Sequence, residues 1–186
     1  MGRGAGVPVP RPGPAARQTG GMDDVAWGSL PGVAGAIVRR AVAADLQALV
    51  ALLADDVLGA GREGGGHDLA PYAHAFAAVD ADPAHLLVVA EARDDVVGTL
   101  QLSFLPGLSR RGALRAQIEG VRVRSDDRGA GLGEALVRWA VAEARRRRCG
   151  LVQLTTDRAR TDAHRFYERL GLAASHTGYK LGLDDF

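Results

Sequence analysis

Between Gln117 and Ala135 the chain passes from strand spacing to helix spacing across a run of glycines. Val121 to Arg124 alternates apolar with charged residues, the period of a strand. From Leu132 the apolar residues fall at Leu132, Ala135, Leu136, Trp139 and Ala140, one stripe of a helix. Arg128-Gly129-Ala130-Gly131-Leu132-Gly133 joins the two. A glycine-rich turn that opens a helix presents unpaired backbone N–H groups at the positive end of the helix dipole. Without side chains in the way, a phosphate can rest directly on that backbone. Arg128 adds forked donors at the rim. The stretch reads as a pyrophosphate cradle.

Two common owners of such a cradle fit poorly. A Walker-type loop ends in Gly-Lys-Ser or Gly-Lys-Thr, whereas Gly133 is followed by Glu134 and the only lysine is Lys180. A dinucleotide fingerprint spaces its glycines G-x-G-x-x-G after the first strand. Here the spacing is G-x-G-x-G, and it comes late in the chain.

The rest of the composition narrows the class. The 186 residues suit one core, and formal net charge is only +1, with 23 basic against 22 acidic residues, so bulk charge argues for no nucleic-acid partner. Cys149 is the sole cysteine, which leaves neither an intrachain disulfide nor a thiolate metal site. It reads as a packed thiol. No apolar run approaches the ~20 residues of a membrane span, and no signal-peptide core is visible. The expectation is a cytoplasmic protein without a membrane partner. Residues 1–33 are rich in proline, glycine and arginine and are expected to be a disordered extension, with Met22 as an alternative start. Residues 34–186 are expected to form one domain.

Within it, Ala36–Ala41 reads as a strand and Ala43–Ala54 as a helix with Leu46, Leu49, Val50 and Leu53 on one side. Residues 59–68 read as a mobile loop and Leu69–Val79 as a second helix. His85–Ala92 and Val96–Leu105, joined through Asp94-Asp95, form a hairpin. A strand follows from about Ala113 to Arg124, then a helix from Gly131 to Arg148. Arg145 to Arg148 at its end read as solvated cations. Leu151–Thr156 is a strand parallel to its predecessor. Thr161 or Asp162 caps a further helix whose stripe is Ala163, Phe166, Tyr167 and Leu170. Leu172–Ser175 and Gly178–Leu183 read as closing strands.

The strand before the cradle contains a fault. Ala116 and Ile118 are apolar at even positions, Val121 and Val123 at odd ones. A regular strand has period two, so one face cannot hold all four. The phase changes at Glu119-Gly120, where a glycine suits a β-bulge.

Arg-x-x-Gly-x-Gly between strand and helix, followed by Thr161-Asp-Ala-His-Arg-Phe-Tyr-Glu-Arg-Leu-Gly-Leu172, resembles the GCN5-related N-acetyltransferase superfamily over roughly Ala36–Leu183. The resemblance implies an α/β fold, a mixed, twisted sheet of six or seven strands flanked by about four helices. It implies acetyl-coenzyme A as cosubstrate, no metal, and transfer of an acetyl group to a primary amine in a ternary complex. The pyrophosphate would lie on Arg128, Gly129, Ala130, Gly131, Leu132, Gly133 and Glu134. The pantetheine arm would enter a gap beside the bulge, pairing with main chain around Val121, Arg122 and Val123. Glu119 would be the base, in a partly dry cleft that raises its pKa, and Tyr167 the acid. His164 and Phe166 would lie near the coenzyme. Asp157 stands where the family commonly has asparagine, a departure that weakens that contact. The first two helices would wall the acceptor, with Arg62, Glu63, His67, Tyr72 and His74 as contacts. The resemblance leaves open the acceptor's identity, a homodimer through the closing strands, and a non-catalytic acyl-coenzyme A sensor.

Overall fold

The computed structural model describes residues 27–56, 59, 61 and 68–183. Strand pairing follows chain order in a six-stranded mixed sheet: β1 (Gly28–Ser29), β2 (Ala36–Arg40), β3 (His85–Ala92), β4 (Asp95–Leu105), β5 (Arg115–Val123) and β6 (Leu151–Leu154). All neighbours are antiparallel except β5 and β6, which a helical crossover makes parallel. The α-helical segments bounded within the described residues are α1 (Leu46–Ala54), α2 (Ala70–Ala81), α3 (Ser109–Gly112), α4 (Leu132–Arg146) and α5 (Thr161–Arg169). Among the described residues no helix is long and apolar enough to cross a membrane.

Both faces of the sheet are covered, which is why β3 and β4 read as nearly unbroken apolar runs. Even positions of β3 (Leu86, Val88, Ala90) join Leu100, Leu102, Phe104, Ala116 and Ile118 under the stripe of α4. Leu136 at the centre of that stripe is 0% exposed, a burial that contributes about 2 kcal/mol. Ala41, Leu49 and Val89 form a smaller cluster on the opposite face, with Phe76, Leu87 and Val96 beside it. Here α1 and α2 lie, and α2 buries no residue fully.

An ion pair anchors the entry to α1. Asp45, 7% exposed, accepts bonds from Arg39 Nη1 (2.7 Å), Arg39 Nη2 (2.9 Å) and the Val42 amide (2.8 Å). The Arg39 bonds hold its carboxyl below the usual carboxylate range, outweighing burial. A depressed folded pKa gives stability that is present above the unfolded value near 4 and lost as pH falls below it. Asp45→Asn should therefore cost about 2 kcal/mol at pH 7 and much less at pH 3, read from urea midpoints at the two pH values. Equal losses at both would assign the effect to shape rather than charge.

The structure corrects several expectations. Residues 27–33, assigned to a loose extension, belong to the fold. Gly28 and Ser29 pair with β2, Leu30 is 2% exposed, and Trp27 stacks on Trp139 at 6.0 Å between ring centroids. Leu172–Ser175 and Gly178–Leu183 are not strands. Tyr179, Leu181 and Leu183 keep a two-residue alternation but are 92%, 74% and 72% exposed, so no layer rewards the pattern. Neither Thr161 nor Asp162 caps α5; Arg160 stands at that position without a side-chain capping bond. The arginines ending α4 are not all solvated. Glu143, with its side chain 0% exposed, takes both Arg146 and Arg147.

Candidate functional site

The cradle forms where β5 ends. A short turn, Ser125–Asp127, leads into Gly129 and Gly131, whose φ angles are 82° and 84°. An added Cβ at either would meet nothing within 4 Å. Glycine is thus required by the left-handed backbone, not by lack of room. Gly131 caps α4, whose first bond runs from the Ala135 amide to the Gly131 carbonyl (3.0 Å). The amides of Leu132, Gly133 and Glu134 precede that bond and have no acceptor within the helix. Gly129, Ala130 and Gly131 are exposed before them. At Gly133 a Cβ would lie 3.6 Å from Phe166 Cζ and 3.7 Å from Val123 Cγ2, so a larger side chain would crowd the space between β5 and α5. Glu134 bonds Arg138 Nε at 2.8 Å on the helix surface.

Two aspartates hold this loop. Asp127 accepts Arg93 Nη2 and Arg124 Nε, both at 2.7 Å, and the Arg93 bond foremost keeps its carboxyl below the usual range. Asp55, just past α1, accepts the Ser125 amide at 2.7 Å and Arg128 Nη2 at 3.1 Å. Arg128 also donates to the Asp55 carbonyl and, through Nε, to the Val123 carbonyl at 3.0 Å. Arg128, expected to offer its fork at the rim, instead ties the cradle to the end of α1.

The bulge stands where the sequence phase breaks. Thr99 faces Arg122 and Gln101 faces Glu119, so Leu100 on β4 opposes both Gly120 and Val121 on β5. Gly120 has φ 61°, which a glycine adopts without strain. β6 pairs only with Arg115–Ile118. Past Ile118 the two parallel strands share no ladder, so they part before the cradle. Val121, Val123, Phe166 and Tyr167 are partly buried and pack against the main core. The carbonyls of the two valines are already engaged, Val121 by Arg122 Nη1 (2.9 Å) and Val123 by Arg128.

The structure places the acid and base candidates on either side of this region. Glu119 shares a face with Gln101 and is exposed, not in the partly dry cleft expected of it. Tyr167 is half-buried, its ring meeting Phe166 edge-on at 5.0 Å. Burial pushes its phenol above the usual value, and the nearby Arg122 and Arg160 guanidiniums offset this only in part. The proton therefore stays on Tyr167 at neutral pH. Arg160 bonds Asp56, and Arg122 Nη2 lies 3.9 Å from the same carboxylate. Burial pushes Asp56 up, but Arg160 foremost outweighs it and holds the carboxyl below its usual range.

His164 and Asp157 meet through the main chain, His164 Nε2 lying 2.9 Å from the Asp157 carbonyl. The Asp157 carboxylate accepts the Ala159 amide at 2.9 Å, a local turn. Cys149 is a packed thiol whose pKa burial raises. Arg62, Glu63 and His67 lie outside the described residues, and His74 is exposed on α2. Tyr72 lines a cleft between α1 and α2 with Leu46, Leu53, Phe76, Gln101 and Gly120. Sequence reasoning missed Asp55, Asp56 and Arg160. The adjacent acids after the α1 stripe were a visible signal, but Arg160 lies 104 residues away.

Comparison with known proteins agrees with this geometry. The family model described as the acetyltransferase (GNAT) family matches residues 47–172. An aminoalkylphosphonate N-acetyltransferase of Salmonella typhimurium is 34% identical over 109 residues, 59% of this chain and 70% of that protein. A solved structure named as a transcriptional regulator from Bacillus halodurans C-125 is 46% identical, with TM-score 0.76 over 80% of this chain and 99% of that one. A structure named as a predicted acetyltransferase with acetyl-CoA from Clostridium acetobutylicum shares the fold at 18% identity, TM-score 0.64, over 81% and 98% of the respective chains. Cradle, bulge and parted strands thus occur together in a chain that belongs to the acetyltransferase (GNAT) family.

Proposed function

We propose that this protein transfers an acetyl group from acetyl-coenzyme A to a small primary amine by direct attack. One observation carries the reading: the amide cradle opening α4 follows the point where two parallel strands part, beside a bulge that bears a carboxylate. The residues fit the coenzyme. Gly129–Glu134 would offer their amides to a pyrophosphate, and an extended arm would enter where β6 leaves β5. When bound, acetyl-coenzyme A supplies an activated thioester.

Glu119 takes the proton that the attacking amine loses as its nitrogen bonds the acetyl carbon, directly or through a water. A main-chain N–H at the bulge polarises the carbonyl oxygen as it gains charge. Tyr167 gives its phenolic proton to the sulfur as the C–S bond breaks, and its raised pKa keeps that proton available. No step calls for a metal. The Salmonella relative, named as an aminoalkylphosphonate N-acetyltransferase, supports an acceptor that is a small amine. A second reading, a coenzyme-binding regulatory module without turnover, is favoured by the name of the Bacillus halodurans protein.

Calorimetric titration with acetyl-coenzyme A, coenzyme A, NAD and ATP tests the cradle. Binding by the coenzyme A pair alone, near −8 kcal/mol (on the order of micromolar), is the expected result. Thiol release with an amine panel then separates enzyme from module. Glu119→Gln and Tyr167→Phe should each lower kcat about a hundredfold with coenzyme affinity unchanged. Unchanged turnover in both would remove these residues from the mechanism.

A further inference from the structure

The acceptor side of the bulge has a chemistry of its own. Between α1 and α2 lies a cleft of about 170 Å³. Leu46, Leu53, Phe76 and Val79 project into it from the two helices, Leu87 forms part of its floor, and Gly120 closes its end. Among the described residues no charged side chain lines it. Of its polar groups, the Thr99 hydroxyl is spent on the Val88 carbonyl at 2.8 Å. The cleft persists because α2 covers the sheet loosely: Tyr72, Phe76 and Val79 are only half-buried.

Its position joins it to the reacting region. Gly120 belongs to the bulge and follows Glu119 directly, while Gln101, which lines the cleft, is the cross-strand partner of Glu119. An amine at the Glu119 carboxylate has its substituent beside this cleft. An anionic substituent entering it would shed its hydration with no cation among the described lining residues to meet it. An apolar one would gain by burial.

We propose that the acceptor is a primary amine with an uncharged, apolar body, a short alkyl chain or a single ring, seated between α1 and α2. Size sets the limit: an apolar cavity of about 150 Å³ accommodates benzene, so this one takes a ring or a chain of about six carbons. The inference rests on the acetyltransferase reading and specifies its acceptor.

The test measures coenzyme binding by calorimetry, then kcat/KM by thiol release for n-propylamine to n-hexylamine, 2-phenylethylamine and aminomethylphosphonic acid. Each added methylene should raise kcat/KM about fourfold until the cleft is full, and aminomethylphosphonic acid should be the poorest acceptor. Val79→Asp, which sets a carboxylate in the wall away from the cradle, should flatten the chain-length series while leaving coenzyme affinity intact. Coenzyme binding with a flat series, with preference for the phosphonate, or with no alkylamine acetylated overturns the inference and leaves the cradle's reading standing. Failure to bind the coenzyme overturns the acetyltransferase reading, and the inference with it.

Discussion

Gly131→Val is expected to weaken acetyl-coenzyme A binding about a hundredfold, or about 2.8 kcal/mol. Gly131 sits at φ 84° directly before α4. A β-branched residue is a genuine outlier there, so the backbone must turn back toward negative φ. That rotation re-aims the amides of Leu132, Gly133 and Glu134, on which the cradle depends. Charge-assisted bonds to such amides contribute about 1.5–3 kcal/mol each, so misdirecting one or two accounts for the loss. Gly131→Asn is the control, because asparagine tolerates the left-handed region and a Cβ finds open space there. It should bind within about tenfold of the parent. Equal affinity for parent and Gly131→Val would show that these amides do not carry the pyrophosphate.

The largest stability effect is expected at the other end of α4. Glu143 accepts Arg146 Nε at 2.8 Å and Nη2 at 2.7 Å, and Arg147 Nε at 2.8 Å. Arg147 also lies over the Phe104 ring at 4.0 Å and reaches the Pro83 carbonyl at 3.3 Å. Removing both arginines by Arg146→Ala/Arg147→Ala leaves a carboxylate whose side chain is 0% exposed without its cations. The expected cost is about 3–5 kcal/mol, a fall in Tm of about 10 °C. Adding Glu143→Leu should restore most of it, since an apolar side chain needs no partner at that position. If the triple variant melts no higher than the double, lost packing of the arginine stems on Phe104 is the cause instead.

How much of this was legible can be judged residue by residue. The phase break around Glu119-Gly120 located the bulge to within a residue of Gly120-Val121, because a period of two cannot put Ile118 and Val121 against the same core without an extra residue between them. The cradle was legible for a similar reason: glycine spacing and helix period are local properties. Arg128 was read as a donor at the rim, and its partner Asp55 was not foreseen. Asp55 is 73 residues distant, and only the packing of α1 against the sheet brings it there. The arginines at the end of α4 were misjudged because position 143 faces the core, a fact that the charge run alone does not reveal. The alternation Tyr179-Leu181-Leu183 predicted a strand, but a pattern of side chains specifies pairing only when a neighbouring edge and a covering layer exist.

What the sequence by itself determined is therefore the order of the main strands and helices from β2 to α5 and the backbone devices of the site, the glycines at positive φ and the interrupted strand. These follow from steric and periodic rules acting over a few residues. Only the tertiary structure decided which charges are spent on one another, how far β6 follows β5, and that a cleft with an apolar lining among the described residues opens beside Glu119. Those outcomes depend on which distant surfaces meet and how closely they pack, and no local rule carries that information.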